Sequence, residues 1–139
     1  GSHMFIANGK KDNPISNMLN KEKFTHFLPK ISSLDAKKKW IIGSLNSNGT
    51  IKIDDGAAKA LLNGKSLLAA GINKINGSFE KGENVLILDQ NNNQLARGLS
   101  SFSSEEIDKI KGKQSKEIEK ILGYLSKTEI IHKDDMVLL

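Results

Sequence analysis

Two groups of titratable residues have the types and spacing that acid–base chemistry requires. Asp54 and Asp55 are adjacent carboxylates, and His132 stands just before Asp134 and Asp135. Asp54 begins a predicted helix, where a carboxylate caps the first turn and complements the helix dipole. Neighbouring strand residues point to opposite faces, so His132 does not converge with the carboxylates, and a turn held by Asp134 is the favoured interpretation. We expect no catalytic residue in this chain.

The stretch from Gly71 to Gly77 combines glycines with Lys74, which are residue types that hold phosphate groups. It lacks the Gly-Lys-Ser/Thr ending of a nucleotide-binding loop and any G-x-G-x-x-G pattern, so tight turns explain its glycines better. His26 and His132 are far apart, without metal-ligand spacing. The absence of cysteine excludes thiolate zinc sites, thiol catalysis and disulfides. We expect neither a metal site nor a cofactor.

Lysines dominate the charged residues, and the formal net charge is +5. The excess lies in the first two-thirds of the sequence, where it could neutralise nucleic-acid phosphates, although such a charge is also ordinary for solubility alone. The candidate phosphate contacts are Lys37, Lys38, Lys39, Lys52, Lys59, Lys65 and Lys74. Trp40 could stack on a base. Because Ile41 and Ile42 follow it, we favour a core position for its ring, with the preceding lysines as a solvated entry.

Short strands and helices must position these residues. Residues 37–45 are predicted as a strand that pairs with residues 50–53 through a turn at 46–49. Asp54 and the Ser103-x-x-Glu106 capping box begin two helices. The helices are expected at 54–62, 103–111 and 115–122; further strands at 66–68, 75–79, 83–88, 94–101 and 129–131; a polar turn at 89–93; and an apolar end at 136–139. Hairpin-linked strands with few helices indicate a small barrel with helical attachments.

Residues 5–28 are predicted as a separate strand, helix and strand, in which Asn13 and Pro14 begin the helix. Their apolar side chains have no partner sheet of their own. We expect the segment to be mobile or to bury these side chains against a neighbouring molecule, which makes a homo-oligomer through residues 5–28 possible. Gly1 to Met4 have the sequence that protease cleavage of an affinity tag leaves behind.

The pattern of glycines and apolar residues resembles a PUA domain, a family named after pseudouridine synthases and archaeosine transglycosylases. The matching motifs are Lys38-Lys39-Trp40-Ile41, Gly43-x-Leu45, Gly49-x-Ile51-x-Ile53-Asp54-x-Gly56-Ala57, Ser66-Leu67-Leu68-x-x-Gly71-Ile72 and Gly77-x-Phe79-x-x-Gly82-x-x-Val85. The resemblance implies an α+β fold, a mixed six-stranded pseudo-barrel with short flanking helices. The helix at 54–62 would lie against one opening.

Later motifs resemble the C-terminal PUA domain of glutamate 5-kinases. They are Ala96-x-Gly98, Ser115-x-Glu117-Ile118-x-x-Ile121-Leu122-Gly123-Tyr124 and Ile131-His132-Lys133-Asp134-Asp135-Met136-Val137. The segment Ile6-Ala7-Asn8-Gly9, a helix and then Thr25-x-Phe27-x-Pro29 resemble the end of the preceding amino acid kinase domain, although Phe24-Thr25 replaces the usual Gly-Thr. The resemblance implies a tag remnant at 1–4, the end of the kinase domain with a linker at 5–36, and a PUA domain with a C-terminal helical extension at 37–139.

In that family the kinase domain uses ATP, magnesium and glutamate to make γ-glutamyl phosphate, the first step towards proline. The residues for ATP, glutamate and feedback by proline would lie upstream, outside this chain. The resemblance therefore implies a non-catalytic, cytoplasmic module that regulates or contacts the kinase domain of the same chain or another subunit. The alternative that it implies is binding of structured RNA, with contacts expected from Lys52, Lys59, Lys65, Gly71 and Lys74. The sequence has no secretory segment and no apolar run long enough to cross a membrane.

Overall fold

The computed structural model describes residues 2–20, 23–43, 47–124 and 127–139. The chain divides into two units, residues 1–36 and 37–139. The elements of the first unit are β1 (Met4–Ile6), α1 (Pro14–Leu19) and β2 (Thr25–Phe27). Helix α2 (Ser33–Gly43) begins in the first unit and ends in the second. Ser44, Leu45 and Asn46, which belong to the predicted hairpin, lie outside the described residues.

The first unit contains the strand, helix and strand that its sequence predicts, and its two strands pair antiparallel. Phe5 lies opposite His26 in the pair, with ring centroids 4.1 Å apart. All residues of both strands are exposed. The predicted capping role of Asn13 is wrong, because this residue has a left-handed φ of 52° and its side chain accepts no capping hydrogen bond. Pro14, whose ring fixes a helical φ, begins the helix.

The second unit contains a five-stranded mixed sheet, a two-stranded sheet and three complete helices. Its elements are β3 (Gly49–Ile53), α3 (Asp55–Leu62), β4 (Leu67–Leu68), β5 (Ile72–Gly77), β6 (Asn84–Leu88), β7 (Gln94–Leu99), α4 (Ser104–Ile110), α5 (Ser115–Leu122), β8 (Glu129–Ile131) and β9 (Met136–Leu138), with 3₁₀ turns at Ala69–Gly71 and Lys133–Asp135. The apolar end of the sequence, for which the pattern predicts no strand, forms β9 on the edge of β7.

The large sheet has the strand order β5-β3-β6-β7-β9, and β4 pairs separately with β8. Strands β3 and β6 are parallel, whereas the other neighbours are antiparallel. The α+β class is confirmed. The described strands differ from the expected six-stranded pseudo-barrel, because the main sheet has five strands and stays open between β5 and β9. Residues 37–43 of the predicted hairpin partner of β3 are helical, and β6 pairs with β3 instead.

Alternate residues of the sheet point into one core. Ile51 and Ile53 of β3 and Val85 and Ile87 of β6 are fully buried. The same cluster includes Leu61, Leu67, Ala69, Ile72, Phe79, Ala96, Phe102, Ile107, Ile110, Ile118, Ile130, Ile131 and Met136. Each buried aliphatic side chain contributes about 1.5–3 kcal/mol relative to exposure. The helices α3, α4 and α5 are therefore held to the sheet through their apolar faces.

The strand predicted for residues 37–45 is wrong, since residues 37–43 belong to helix α2. The helix begins at Ser32, whose hydroxyl accepts the N–H of Asp35 at 3.0 Å and donates to the Asp35 carboxylate at 2.7 Å. Trp40 is 60% exposed, so its predicted core position is also wrong, and Ile41 is the buried residue of this helix. The Asn84 amide donates to the Ile41 carbonyl at 3.0 Å and so joins the helix end to β6.

Gly71 allows helix α3 to approach the chain that follows β4. A Cβ added at Gly71 would lie 2.4 Å from the Cβ of Ala57, which is far below a van der Waals contact. The backbone is also tied here, because the Asp54 N–H donates to the Gly71 carbonyl at 3.0 Å. The position of α3 therefore depends on the absence of a side chain at residue 71.

A carboxylate at the start of α4 joins that helix to the end of α5. Glu106 accepts the Ser103 N–H at 2.9 Å, the Ser103 hydroxyl accepts the Glu106 N–H at 3.3 Å, and the Tyr124 hydroxyl donates to Glu106. Burial raises the pKa of Glu106, but the donors from Tyr124 and Ser103 outweigh it, so this pKa lies below its ordinary 4.5. The same hydrogen bond raises the pKa of Tyr124.

Replacing Gly71→Ala is expected to lower the free energy of unfolding by about 1–3 kcal/mol, because the new methyl group overpacks against Ala57. Urea unfolding measures the change. Adding Ala57→Gly should recover part of the loss, so that the two changes are not additive. Gly43→Ala is the matched control, since no atom lies within 4 Å of an added Cβ there. Equal effects of Gly71→Ala and Gly43→Ala would contradict the close approach.

Tyr124→Phe is expected to destabilise the chain by about 1 kcal/mol at neutral pH. The Tyr124 hydroxyl binds the carboxylate form of Glu106, so its contribution is present above pH 4.5 and disappears as pH falls through the lowered pKa. Urea unfolding at about pH 7 and about pH 3 should therefore show a difference between the two proteins only at the higher pH. Glu106→Gln serves as the control, because Tyr124→Phe added to it should have little further pH-dependent effect. A difference that is constant with pH would refute the link.

Candidate functional site

Helix α3 begins at Asp54, as the sequence predicts. The Asp54 carboxylate accepts the N–H of Ala57 at 2.7 Å, and its backbone is held by Gly71. Asp55 occupies the first turn, where a negative charge complements the helix dipole. The two carboxylates therefore stabilise the start of the helix, and Asp54 is already engaged in a structural hydrogen bond.

A cleft of about 480 Å³ lies between α3 and the segment that contains β4. It is lined by Gly56, Ala57, Ala60, Lys65, Ser66, Leu67, Leu68, Ala70, Gly71 and Glu129; we call it the α3 cleft. The small residues of α3 leave room for it, and Leu68 is partly exposed at its wall. Lys65 and Glu129 are its charged residues, and their charges are opposite. An apolar group is thus better matched to this cleft than a phosphate.

The five predicted RNA contacts fall into separate parts of the fold. Lys65 and Gly71 line the α3 cleft, whereas Lys59 is an exposed residue of α3 that does not line it. Lys52 and Lys74 lie directly opposite each other on β3 and β5. Because Ile51 and Ile53 point into the core, Lys52 lies on the other face of the sheet.

The pair formed by Lys52 and Lys74 brings like charges together across an antiparallel ladder, which is unfavourable. The Lys52 ammonium donates to the Asn92 side chain at 3.0 Å, in the turn that follows β6. In that turn Asp89 accepts backbone N–H groups at 2.8 Å and the Asn93 amide at 2.8 Å. The Asn93 side chain lowers the pKa of Asp89 most, and Lys52 lowers it further. The predicted polar turn is confirmed, and its carboxylate partly offsets the lysine pair.

His132 and the carboxylates beside it form a turn. The His132 Nδ1 accepts the Asp134 N–H at 3.2 Å, so the imidazole rather than the Asp134 carboxylate holds this turn. The Asp134 carboxylate lies 3.6 Å from the same nitrogen, and Asp135 forms an ion pair with Lys37. The predicted turn is confirmed, but the His132 imidazole holds it in place of the Asp134 carboxylate.

Sequence reasoning missed two surfaces of the second unit. The α3 cleft has a sequence signal in the small residues Gly56, Ala57 and Ala60, which share one side of a helix. The open edge of β9 has no such signal, because it depends on the pairing of β9 with β7. Among the described residues, no group of three or more His, Cys, Asp or Glu side chains could hold a metal ion. No helix in the described ranges has the length and apolarity to cross a membrane.

Two curated proteins are similar to this chain over almost its whole length, and both belong to the family that the sequence motifs resemble. A glutamate 5-kinase of Pelagibacter ubique (strain HTCC1062) is 61% identical over 137 residues, which is 99% of this chain and 37% of that relative. A glutamate 5-kinase of Thermoanaerobacter sp. (strain X514) is 45% identical over 141 residues, which is 100% of this chain and 38% of that relative. The chain therefore spans less than two-fifths of the curated relatives that it matches.

The crystal structure of a PUA domain from Aeropyrum pernix K1 is similar to this chain, with 22% sequence identity and a TM-score of 0.47. The similarity covers 61% of this chain and 41% of that chain. The resemblance to the PUA domain of glutamate 5-kinases is confirmed by the curated relatives. The family model described as "PUA domain" matches residues 49–122, which is more than half of the sequence. The chain thus belongs to the PUA domain family.

Proposed function

We propose that this chain is the PUA-containing part of a glutamate 5-kinase and acts as a non-catalytic module that regulates or contacts the kinase domain. The observation that carries the proposal is 61% identity over almost the whole chain to a kinase of which it spans only 37%. Residues 5–36 are then the end of the amino acid kinase domain with its linker, and residues 37–139 are the PUA domain with its helical extension. The parent enzyme uses ATP and magnesium to phosphorylate glutamate on the cytoplasmic route to proline.

The side chains that could act as acid or base already form hydrogen bonds or an ion pair within the fold, and this supports a non-catalytic role. Asp54 caps α3, Asp135 pairs with Lys37, and His132 accepts a backbone N–H. None of these groups converges with another on an open reacting position. Chemistry in the parent protein is therefore assigned to the part that this chain lacks.

The exposed first unit supports contact with another part of the parent protein. Phe5, Ile6, Phe27 and Leu28 are each between 46% and 69% exposed in the strand pair and just after it. Isolated two-stranded sheets are marginally stable in water. These strands are suited to join a larger sheet in the kinase domain of the same chain or another subunit.

A second candidate function is binding of structured RNA, and the Lys52–Lys74 pair is the observation that favours it. An anionic phosphate placed near both ammonium groups would relieve their repulsion. The α3 cleft adds Lys65 and the Gly71 backbone, and Lys59 lies on helix α3 outside the cleft. This candidate is secondary because the cleft itself is mainly apolar and carries balanced charges.

The module role is tested with the Pelagibacter ubique relative, in three forms: intact, truncated before the region that matches residues 37–139, and with residues 37–139 of this chain in place of that region. Truncation is expected to change the glutamate KM, the response to proline or the subunit assembly. The replacement should restore the intact behaviour, because it supplies the same contacts. γ-Glutamyl hydroxamate formation and analytical ultracentrifugation measure the outcome. This chain alone is expected to form no product, and either activity of the isolated chain or a truncation without effect would refute the proposal.

RNA binding is tested with Lys59→Glu and Lys74→Glu together. If phosphates are the ligands, affinity should fall about equally for all structured RNAs, since phosphate contacts carry no base information. The slope of log affinity against log salt should flatten by roughly 0.7–0.9 for each phosphate that a lysine no longer neutralises. Lys116→Glu with Lys120→Glu on α5 changes the net charge equally and is the matched control. Filter binding at low salt that detects no complex, or equal reductions of affinity in both double variants, would remove this candidate.

A further inference from the structure

The two edges of the five-stranded sheet differ. Strand β5 at one end packs beside helix α4. Strand β9 at the other end pairs with β7 on one side, and no strand among the described residues pairs with its other side. Folded proteins usually protect such edges with charges, proline or a covering element. The side chains of residues 136–139 include neither a charge nor proline, and β9 is short.

The register of β9 shows which backbone groups are available. The Leu139 N–H donates to the Leu95 carbonyl at 3.0 Å, which continues the ladder with β7. Residues of an antiparallel pair alternate between hydrogen-bonded and non-hydrogen-bonded positions. Val137 therefore directs its N–H and carbonyl towards β7. Met136 and Leu138 direct theirs outward, ready to pair with an added strand.

A cleft lies beside this edge. Its volume is about 460 Å³, and its apolar lining residues are Leu61, Met136, Val137 and Leu138. Leu61 and Met136 are buried in the core, so they provide a closed floor, whereas Leu138 is 43% exposed. Gly64 leaves space at the end of α3. One apolar side chain of an added strand would fit against these residues.

The charged residues at this cleft indicate the chemistry of the occupant. Lys38, Lys133 and Asp134 line it. The nearby Lys37 is neutralised by Asp135, which leaves Lys38 and Lys133 against the single carboxylate of Asp134. In the described part of the chain neither Lys38 nor Lys133 forms an ion pair. The local excess of positive charge favours acidic side chains.

We propose that the open edge of β9 binds an extended acidic peptide segment, which adds a strand to the sheet. The segment places an apolar side chain over Leu61 and acidic side chains near Lys38 and Lys133. Main-chain hydrogen bonds supply affinity and the cleft supplies selectivity, as in other cases of strand addition. A second copy of β9 is a poor occupant, because residues 136–139 carry no acidic side chain. The inference rests on the proposed interaction role and names its surface and partner class.

The probe is a fluorescein-labelled peptide with the sequence Asp-Val-Leu-Val-Asp, measured by fluorescence anisotropy against the full chain. Leu138→Pro removes an outward N–H without removing a bond to β7, and it should weaken binding about tenfold relative to Leu138→Ala, which keeps that N–H. Lys38→Glu with Lys133→Glu should weaken binding about tenfold at low salt and less at high salt. Lys116→Glu with Lys120→Glu is the charge-matched control. Thermal unfolding checks that each variant is folded.

Hydrogen exchange gives a readout that depends on the register. The amides of Met136 and Leu138 should exchange fast in the free chain and become protected with the peptide, whereas Val137 is protected in both states. N-methylation of one alternate set of peptide amides should abolish binding, and methylation of the other set should not. Unchanged exchange at Met136 and Leu138, or equal effects of both methylations, would overturn the proposal.

Two further measurements test the occupant of the β9 edge and distinguish it from the proposed module role. If the chain is a dimer that Leu138→Pro makes monomeric, a second copy occupies the edge and the acidic segment is refuted. Leu138→Pro is also placed in the replacement form of the Pelagibacter relative. If the peptide fails to bind while the replacement restores normal kinase behaviour with or without this change, the edge inference falls and the module role stands.

Discussion

Strand β3 is paired on both edges, antiparallel to β5 and parallel to β6, and this double pairing determines where the other elements lie. A parallel neighbour cannot follow through a tight turn, so the chain must cross over before it returns as β6. Residues 54–83 form that crossover and contain α3, β4 and β5. The α3 cleft is built within it, and Gly71 sets how closely its two sides approach. The position of the α3 cleft therefore depends on the register in which β3 pairs with its two neighbours.

Local sequence signals predicted the elements that they control directly. Helix α5 spans the predicted residues and ends at Gly123, which has the left-handed φ of 78° that favours glycine. The capping box at Ser103 likewise begins α4. Helix α2 escaped prediction because Trp40 and its two isoleucines have β propensity, whereas the start signal at Ser32 is a single side chain. In α2 the cap at Ser32 and the solvated lysines favoured a helix more than the apolar run at Trp40 favoured a strand.

Residue spacing and secondary-structure propensity could not predict contacts between strands that are distant in the sequence. That Lys52 opposes Lys74 follows from the β3–β5 register, and the open edge of β9 follows from which strand pairs with β7. The resemblance to a known family supplied the fold class, which the motifs between residues 49 and 122 support. It did not indicate that the five predicted contacts would divide among a cleft, the exposed side of α3 and a sheet face. Those positions are set by tertiary pairing.

Both partners of β3 lie further along the chain, so this strand is synthesised before either neighbour exists. Until β5 and β6 arrive, Ile51 and Ile53 are open to strands of other unfinished chains, and such β-branched stretches promote intermolecular pairing. Lys52 places a charge between them, and a charge within an apolar strand opposes aggregation. The lysine that repels Lys74 across the finished sheet thus keeps nascent chains apart.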